Sequence, residues 1–492
     1  MTAKMENICL GAILLTGLAL RLVVLGGSAP TDDAYITFRY VRNIASGHGF
    51  VYNIGERVLG TTTPLFTILL VPFAKIGLEP DAVAVAISVV LDLGLCLLLY
   101  RLFRDRLGGA AALTSALFYA LSYVHIAACG YGMETQLLMF LATLSILLYL
   151  RKQYVWMAVA AGLALLARPE GILMALILAA ALAADRHRKG TAPFWRSVLI
   201  YTAVTAPWFL FALFYFGSPF PNSVLAKFHQ EGITAGQWLD FFVTRNPLIM
   251  LLWPGFLVGL VHGYRKGCRA VLLLSAWAIL YLLFFLVGRP PFLGGWYFPP
   301  AALPLFSLAA IGAWWILSGI LGGVRKAAAA AALLIILQAL VVLPRSYETV
   351  TWNRKVVDTV YRPLGKWIAA ETKPDDLIHA PDIGYLGYIS RRRILDASAL
   401  VTPGVREFYA SRRDDTDRDI EFLLAKSPDY VVLPIERELY RRFEASGFFS
   451  HYEPVERFRV EGPANLYPLF APEGAGRADR RFMADFIVYR KI

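Results

Sequence analysis

The chain is poor in cysteine and carries none of the common motifs for nucleotide, serine or zinc chemistry. Its four cysteines among 492 residues all fall in or beside apolar segments, and no pair has a metal-site spacing. A Walker phosphate loop, a GxSxG elbow and an HExxH motif are also missing from the sequence. Nucleotide hydrolysis, serine nucleophiles and zinc-activated water therefore have no support.

Charged residues are scarce as well. They make up 17% of the chain, whereas 57% is hydrophobic and several apolar runs are long enough to cross a bilayer core of roughly 30 Å. The net charge of +12 comes mostly from lysines and arginines in short loops between these runs. That placement is an orientation signal of membrane proteins, so we predict an integral membrane protein that binds no nucleic acid.

The apolar runs predict eleven spanning helices with the N-terminus in the cytoplasm and the C-terminus outside. Five basic loops share one side only if the run 59–76, which opens with threonines and contains two prolines, dips into the membrane and returns. Pro30 and Arg21 favour a retained first anchor over a cleaved signal peptide, and Arg21 is expected to snorkel to the surface. The spanning runs are 8–26, 82–99, 110–128, 136–150, 155–167, 172–184, 198–216, 248–261, 271–287, 298–320 and 327–343.

The first exterior loop, residues 28–78, carries two adjacent carboxylates, Asp32 and Asp33, before an amphipathic segment. Tyr35 and Phe38 lie on one helical face of that segment and Arg39 on the other, which predicts a helix lying flat at the membrane surface. The acids are either a helix cap or an acid–base pair. Two neighbouring carboxylates repel each other and raise one pKa toward the range of a general base.

The other exterior loops contain further polar and aromatic candidates. Glu134 is either a helix-start acid or an acceptor-orienting group, and Arg168 forms either an ion pair with Glu170 or an anion site. Trp296 and Tyr297 either stack on a sugar or belong to the interfacial aromatic belt. The remaining candidates are the cations Arg57, Lys227 and Arg289, the amide of Asn222, and His48, a loop histidine that is solvated in the simpler interpretation.

The composition changes after Pro344, which divides the chain into a membrane domain (1–345) and a C-terminal domain (346–492) outside the membrane. Short apolar segments at 377–380, 394–395, 430–433 and 486–489 predict strands. A helix capped by Asp382 is expected through Tyr388, and further helices are expected over 417–426 and 436–446. The fold class is thus a polytopic α-helical membrane protein with interfacial helices in its first exterior loop, followed by an extracytoplasmic α/β domain.

The sequence resembles the GT-C superfamily of membrane glycosyltransferases that use polyprenyl-phosphate sugars. The similarity covers essentially the whole chain and is nearest to the mycobacterial terminal arabinofuranosyltransferase branch. It rests on the segments 32–40, 47–49, 53–58 and 63–65 of the first loop, on 132–135, 168–171, 221–223 with Lys227, and on 375–377 with 382–388. Trp296, after Gly294-Gly295, stands where that branch tends to have an acidic residue.

The resemblance implies an inverting transfer of a sugar, of arabinofuranosyl type in that branch, from a polyprenyl-phosphate donor to an envelope glycan, lipid or protein. It implies Asp32 as general base, Asp33 and Glu134 as acceptor-site residues, and basic exterior residues around the leaving phosphate. No metal ligands are assigned and no cofactor is expected, with a divalent cation at the acidic pair left open. The expected location is the inner or plasma membrane, and the rival hypotheses are a transporter or flippase and a non-catalytic envelope scaffold.

Overall fold

The structure is a computed structural model that describes residues 2–185, 190–222, 234, 236, 247–288, 295–411, 417–435, 437–459 and 485–492. Within these residues the membrane part and the helix that leaves it contain fourteen helices, most of which match the predicted apolar runs; the run 110–128 forms two helices, and the last helix extends beyond its run to Val356. They are α1 (Ala3–Gly26), α2 (Asp32–Ala45), α3 (Pro64–Lys75), α4 (Pro80–Leu107), α5 (Gly109–Ala120), α6 (Tyr123–Gly130), α7 (Thr135–Leu150), α8 (Tyr154–Ala167), α9 (Gly171–Ala184), α10 (Ala192–Phe216), α11 (Pro247–Arg265), α12 (Arg269–Gly288), α13 (Pro299–Leu321) and α14 (Val324–Val356).

Among the described residues, five helices are long and apolar enough to cross a membrane: α1, α4, α10, α12 and α13. The pair α5 and α6 makes a sixth if it is one span bent by 47°. Helices α3, α7, α8 and α9 are apolar but have only 12 to 16 residues. The protein is a multi-pass membrane protein, whereas the count of eleven spans and the orientation remain predictions.

A buried ion pair joins helices α1 and α4. Arg21 of α1 is fully buried, and its Nε donates to an Asp92 carboxylate oxygen on α4 at 2.6 Å. The hydroxyl of Tyr119 donates to the other Asp92 oxygen at 2.5 Å. The Nη1 of Arg21 also donates to the carbonyl of Ala120, the last residue of α5, at 3.0 Å. Arg21 therefore binds inside the helix bundle, and the prediction that it snorkels to the surface is wrong.

Helix α2, in the loop 28–78, is enclosed by protein rather than laid on a membrane with one free face. Helix α2 begins at Asp32, and its residues from Ala34 to Val41 are all buried. Arg39, expected on the polar face, donates from Nε to the Tyr52 carbonyl at 2.8 Å and from Nη2 to the Arg392 carbonyl at 2.6 Å. The polar face of α2 is thus covered by its own loop and by the C-terminal region.

The described part of the C-terminal region folds around a five-stranded sheet of order β2-β1-β3-β5-β4. Strand β1 pairs parallel with β2 and β3, whereas β5 runs antiparallel to β3 and β4. The strands are β1 (Leu377–His379), β2 (Arg393–Leu395), β3 (Tyr430–Pro434), β4 (Tyr452–Arg459) and β5 (Asp485–Lys491). The helices are α15 (Arg362–Glu371), α16 (Ile383–Ser390), α17 (Val405–Ala410), α18 (Arg418–Lys426) and α19 (Arg437–Ala445).

The sheet places its two faces in different cores. Val432 belongs to the large core that continues into the membrane helices, whereas its neighbour Val431 belongs to a smaller core on the other face. This alternation follows from the two-residue period of a strand. Helix α14 runs for 33 residues through Pro344, so the predicted division at residue 345 falls within one helix. The division into two domains remains a prediction.

We expect Asp92→Asn to lower the free energy of unfolding in detergent by about 3–5 kcal/mol, because it leaves the buried Arg21 guanidinium without its counter-charge. The double variant Arg21→Met/Asp92→Leu should recover part of this loss, since two apolar side chains need no partner. Asp105→Asn on the same helix, at a largely exposed side chain, is the control. Equal stability of Asp92→Asn and the wild type would contradict the role assigned to the pair.

Candidate functional site

The carboxylate of Asp32 is bound by the backbone of a helix in the C-terminal region. One of its oxygens accepts from the Tyr385 N–H at 2.6 Å and the other from the Gly384 N–H at 3.1 Å. These donors belong to the first turn of α16, so Asp32 caps this helix from a distance of more than 350 residues along the chain. A further hydrogen bond joins the same two segments, because the Tyr385 hydroxyl donates to the Pro30 carbonyl at 2.5 Å.

The close approach of the two segments requires glycine at position 384. A Cβ added to Gly384 would lie 1.8 Å from the backbone oxygen of Asp32 and 2.9 Å from its carboxylate carbon. The first of these atoms is backbone and cannot rotate away. The glycine therefore allows the helix terminus to reach the carboxylate.

A third carboxylate, Asp382, stands beside the predicted pair. Burial raises the pKa of Asp32 well above its usual range, and the negative charge of Asp382 adds to this effect. Burial also raises the pKa of Asp382, although its hydrogen bond from the Tyr361 hydroxyl, 2.7 Å long, acts in the opposite direction. Asp33 is half-buried next to Asp32. The site therefore holds a carboxyl group whose pKa is moved toward the working range of a general base.

In the capping interpretation the two acids cap α2 and Asp382 caps α16, but Asp32 and Asp33 lie within the first turn of α2, after its N-cap position. Thr31 and Asp382 occupy the N-cap positions of α2 and α16, but neither side chain makes a capping hydrogen bond to its helix. The Thr31 hydroxyl instead donates to the Tyr131 carbonyl at 3.2 Å, and Asp382 accepts from Tyr361. The helix after Asp382 is present, but its first turn is capped by Asp32.

Glu134 and Arg168 form a second, buried group three residues beyond Tyr131. The Arg168 Nη1 donates to Glu134 at 2.7 Å, and its Nη2 donates to Glu170 at 3.0 Å. All three side chains are buried. The guanidinium is thus already bound by two carboxylates, as in the ion-pair interpretation of this motif.

Trp296 and Tyr297 pack beside this group. The Arg168 guanidinium lies 5.4 Å from the Tyr297 ring centre, and Tyr131 makes an edge contact with Trp296 at 6.4 Å. The Thr135 hydroxyl donates to the Trp296 carbonyl at 3.4 Å. Both aromatic rings are buried within the protein, so an interfacial belt facing lipid is not their environment.

The remaining described candidates lie on the loop 28–78 and on the chain just after α10. Arg57 is exposed, and its guanidinium lies 4.6 Å from the ring centre of Tyr215 near the end of α10. Asn222 joins the same loop through its N–H, which donates to the Leu59 carbonyl at 2.9 Å. His48 is exposed between two glycines of positive φ. Lys227 and Arg289 lie outside the described residues.

Three residues of the acidic site are not among the predicted site residues. Asp382 was predicted only as a cap, and Tyr361 and Tyr385 were not singled out as individual candidates, although 382–388 was among the segments that carry the resemblance. Within the described ranges, no cluster of three or more histidine, cysteine or acidic side chains could hold a metal ion. The acidic site consists of carboxylates, tyrosine hydroxyls and backbone amides.

Two family models match the sequence. Residues 61–211 match the dolichyl-phosphate-mannose-protein mannosyltransferase model, and residues 351–482 match a domain of unknown function, DUF8728. A terminal β-(1→2)-arabinofuranosyltransferase of Mycobacterium tuberculosis is 39% identical over 88 residues. That match covers 17% of this chain and 14% of the relative, so it spans only a small part of the relative's length.

The fold is similar to those of solved membrane enzymes. The apo crystal structure of ArnT from Cupriavidus metallidurans has a TM-score of 0.65 at 16% identity and covers 99% of this chain and 98% of its own. The same protein bound to undecaprenyl phosphate has a TM-score of 0.57 at 15% identity, again over 99% and 98% of the two chains.

A third structure is the archaeal oligosaccharyltransferase AglB of Archaeoglobus fulgidus, in complex with an inhibitory peptide and a dolichol-phosphate. Its TM-score is 0.58 at 13% identity, over 94% of this chain and 75% of its own. At such identities the likeness shows the fold alone. The predicted resemblance is confirmed: this chain resembles the GT-C superfamily in fold along nearly its whole length and the mannosyltransferase family in sequence over residues 61–211.

Proposed function

We propose that this protein is an inverting glycosyltransferase that moves a sugar from a polyprenyl-phosphate donor to an acceptor of the cell envelope. The match of residues 61–211 to the mannosyltransferase family supports the reaction class. Among proteins of the same fold, one holds undecaprenyl phosphate and another a dolichol-phosphate, which supports the donor class. The short match to an arabinofuranosyltransferase supports an arabinofuranosyl-type sugar.

The observation that carries the proposal is the environment of Asp32. Its carboxylate oxygens each accept one backbone hydrogen bond, and an ionised carboxylate has about four acceptor positions. Acceptor positions therefore remain for a substrate hydroxyl. Burial and the Asp382 charge favour proton uptake at this carboxyl group. Asp32 is our candidate for the general base.

In this mechanism Asp32 takes the proton of the acceptor hydroxyl as its oxygen attacks the anomeric carbon of the donor. The bond from that carbon to the phosphate oxygen breaks, and the electron pair leaves with the lipid phosphate, so that the configuration inverts. Asp33 and Glu134 shape the acceptor side. Lys227 and Arg289 are the proposed cations at the leaving phosphate, because both carboxylates around Arg168 already neutralise its charge.

The transporter alternative has one feature in its favour, since Arg21 and Asp92 are ionisable residues within candidate spans. Both side chains are fully buried and bonded to each other, to Tyr119 and to backbone carbonyls. A fully satisfied pair with no exposed surface is suited to holding helices together. We therefore favour sugar transfer. In this proposal the protein lies in the inner or plasma membrane, and its active site and C-terminal domain (346–492) are extracytoplasmic.

We expect Asp32→Asn to reduce sugar transfer from a labelled polyprenyl-phosphate donor by about 10²–10⁴-fold, because the amide cannot accept the proton of the acceptor. The measurement uses the purified chain in liposomes, with thermal unfolding to verify the fold. Asp375→Asn, at an exposed carboxylate of the C-terminal region, is the matched control. Near-normal turnover of Asp32→Asn would remove Asp32 from the role of base.

Asp382→Asn should move the acidic limb of the kcat/KM profile to lower pH. The base works in its ionised form, and the Asp382 charge raises the pKa of Asp32, so loss of that charge lets Asp32 ionise at lower pH. In the wild type the limb should lie above the ordinary aspartate value of about 3.9. A profile that does not move would show that Asp382 does not act on the group that titrates.

Gly384→Ala should reduce the rate of transfer more than it reduces thermal stability, because the new Cβ displaces Asp32 from its two hydrogen bonds. Overpacking of this kind costs typically about 1–3 kcal/mol. Gly319→Ala in α13 is the control, since a Cβ there meets no atom within 4 Å. Full activity of Gly384→Ala would contradict the positioning role of the α16 terminus.

A further inference from the structure

A polar cleft of about 190 Å³ opens between the first exterior loop, the end of α10 and the C-terminal region. The first loop contributes Arg57, the chain after α10 contributes Ser218 and Asn222, and the C-terminal region contributes Arg406 and Glu407. Phe216, the last residue of α10, forms part of the wall. Residues from three distant parts of the sequence therefore build one cleft.

The two arginines of this cleft form no ion pair with an acidic residue of the described ranges. Within the residues that the structure describes, no carboxylate lies within ion-pair distance of Arg57 or Arg406. Glu56, next to Arg57 in sequence, is bound by Arg393 instead. Glu407 faces the same cleft, so the cleft keeps one net positive charge. Two guanidinium groups that share a cleft with one carboxylate and form no direct ion pair with it are suited to hold an anion.

The cleft lies beside the later part of α2, whereas Asp32 begins that helix. Tyr40 donates to the carbonyl of Val58, the residue after Arg57, and Gly49 approaches the Tyr215 ring that supports the Arg57 guanidinium. Tyr40 follows Asp32 by eight residues, so its Cα lies roughly 12 Å along α2 from that of Asp32, because a helix rises 1.5 Å per residue.

The position of the cleft favours a ligand that belongs to the membrane. It lies at the end of α10, one of the candidate spans. Phe220, which lines the cleft, is 58% exposed, and Phe214 near the end of the same helix is 83% exposed, so apolar surface accompanies the charged cleft at this end of α10. An arginine pair next to exposed apolar surface at the end of a span matches a lipid headgroup with its acyl chains.

We propose that this cleft is a second binding site, for the phosphate headgroup of an anionic membrane lipid. Arg57 and Arg406 bind the phosphate oxygens, the Asn222 amide lies beside them, and the acyl chains lie along the exposed apolar residues at the end of α10. Arg406 ties the occupant to the C-terminal region, so the lipid joins this region to the first exterior loop. The proposal goes beyond sugar transfer and assigns Arg57 and Asn222 to a site other than the donor phosphate.

The test measures lipid retention by the purified full-length chain. The protein is taken from micelles of a non-ionic detergent into native mass spectrometry while phosphatidylglycerol is titrated, in parallel with undecaprenyl phosphate. We expect Arg57→Gln/Arg406→Gln to weaken the tightest phosphatidylglycerol binding by at least about tenfold, because two charge-assisted contacts are lost. Arg441→Gln/Arg459→Gln, which removes the same charge from exposed positions of the C-terminal region, should bind like the wild type.

Equal phosphatidylglycerol binding by the wild type and the Arg57→Gln/Arg406→Gln variant would overturn the proposal. Selective loss of undecaprenyl phosphate would also overturn it, since the cleft would then hold the donor phosphate. Displacement of the lipid by millimolar inorganic phosphate would overturn the lipid as the source, whereas retention supports it. The assay contains no sugar donor, and Asp32→Asn should retain the lipid, so a failed transfer experiment leaves this result unaffected.

Discussion

The arrangement of the candidate site depends on the contact between one carboxylate and the first turn of one helix. Asp32 follows the first membrane anchor, and the amides of Gly384 and Tyr385 belong to the C-terminal region. A helix terminus presents unsatisfied N–H groups and a partial positive charge, which a carboxylate satisfies. The C-terminal region is therefore part of the site, since the candidate base is bound and oriented by it.

The same contact accounts for an apparent contradiction in the electrostatics. Backbone hydrogen bonds favour the charged form of Asp32, whereas burial and the Asp382 charge favour the neutral form. Burial is the largest effect, so the pKa of Asp32 rises although its carboxylate is well hydrogen-bonded. A group that both accepts hydrogen bonds and retains a raised pKa can be oriented without losing its basicity.

The sequence predicted local features well because they depend on local patterns. The apolar runs gave the helices to within a few residues at most ends, and the short apolar segments gave four of the five described strands. Strand β4 was missed because most of its residues are not buried and show no apolar alternation. The contact of Arg21 with Asp92 joins residues 71 positions apart, and that of Asp32 with Tyr385 joins residues 353 apart. No periodicity in a single sequence records such contacts.

Helix α14 gives the chain a mechanical property that no single contact supplies. Its 33 residues form a rod roughly 50 Å long, which begins in an apolar segment and continues into the π-helical turn that carries Tyr361. Tyr361 donates to Asp382, the neighbour of the candidate base. Any movement of this helix therefore carries with it the Tyr361 hydroxyl and its hydrogen bond to Asp382.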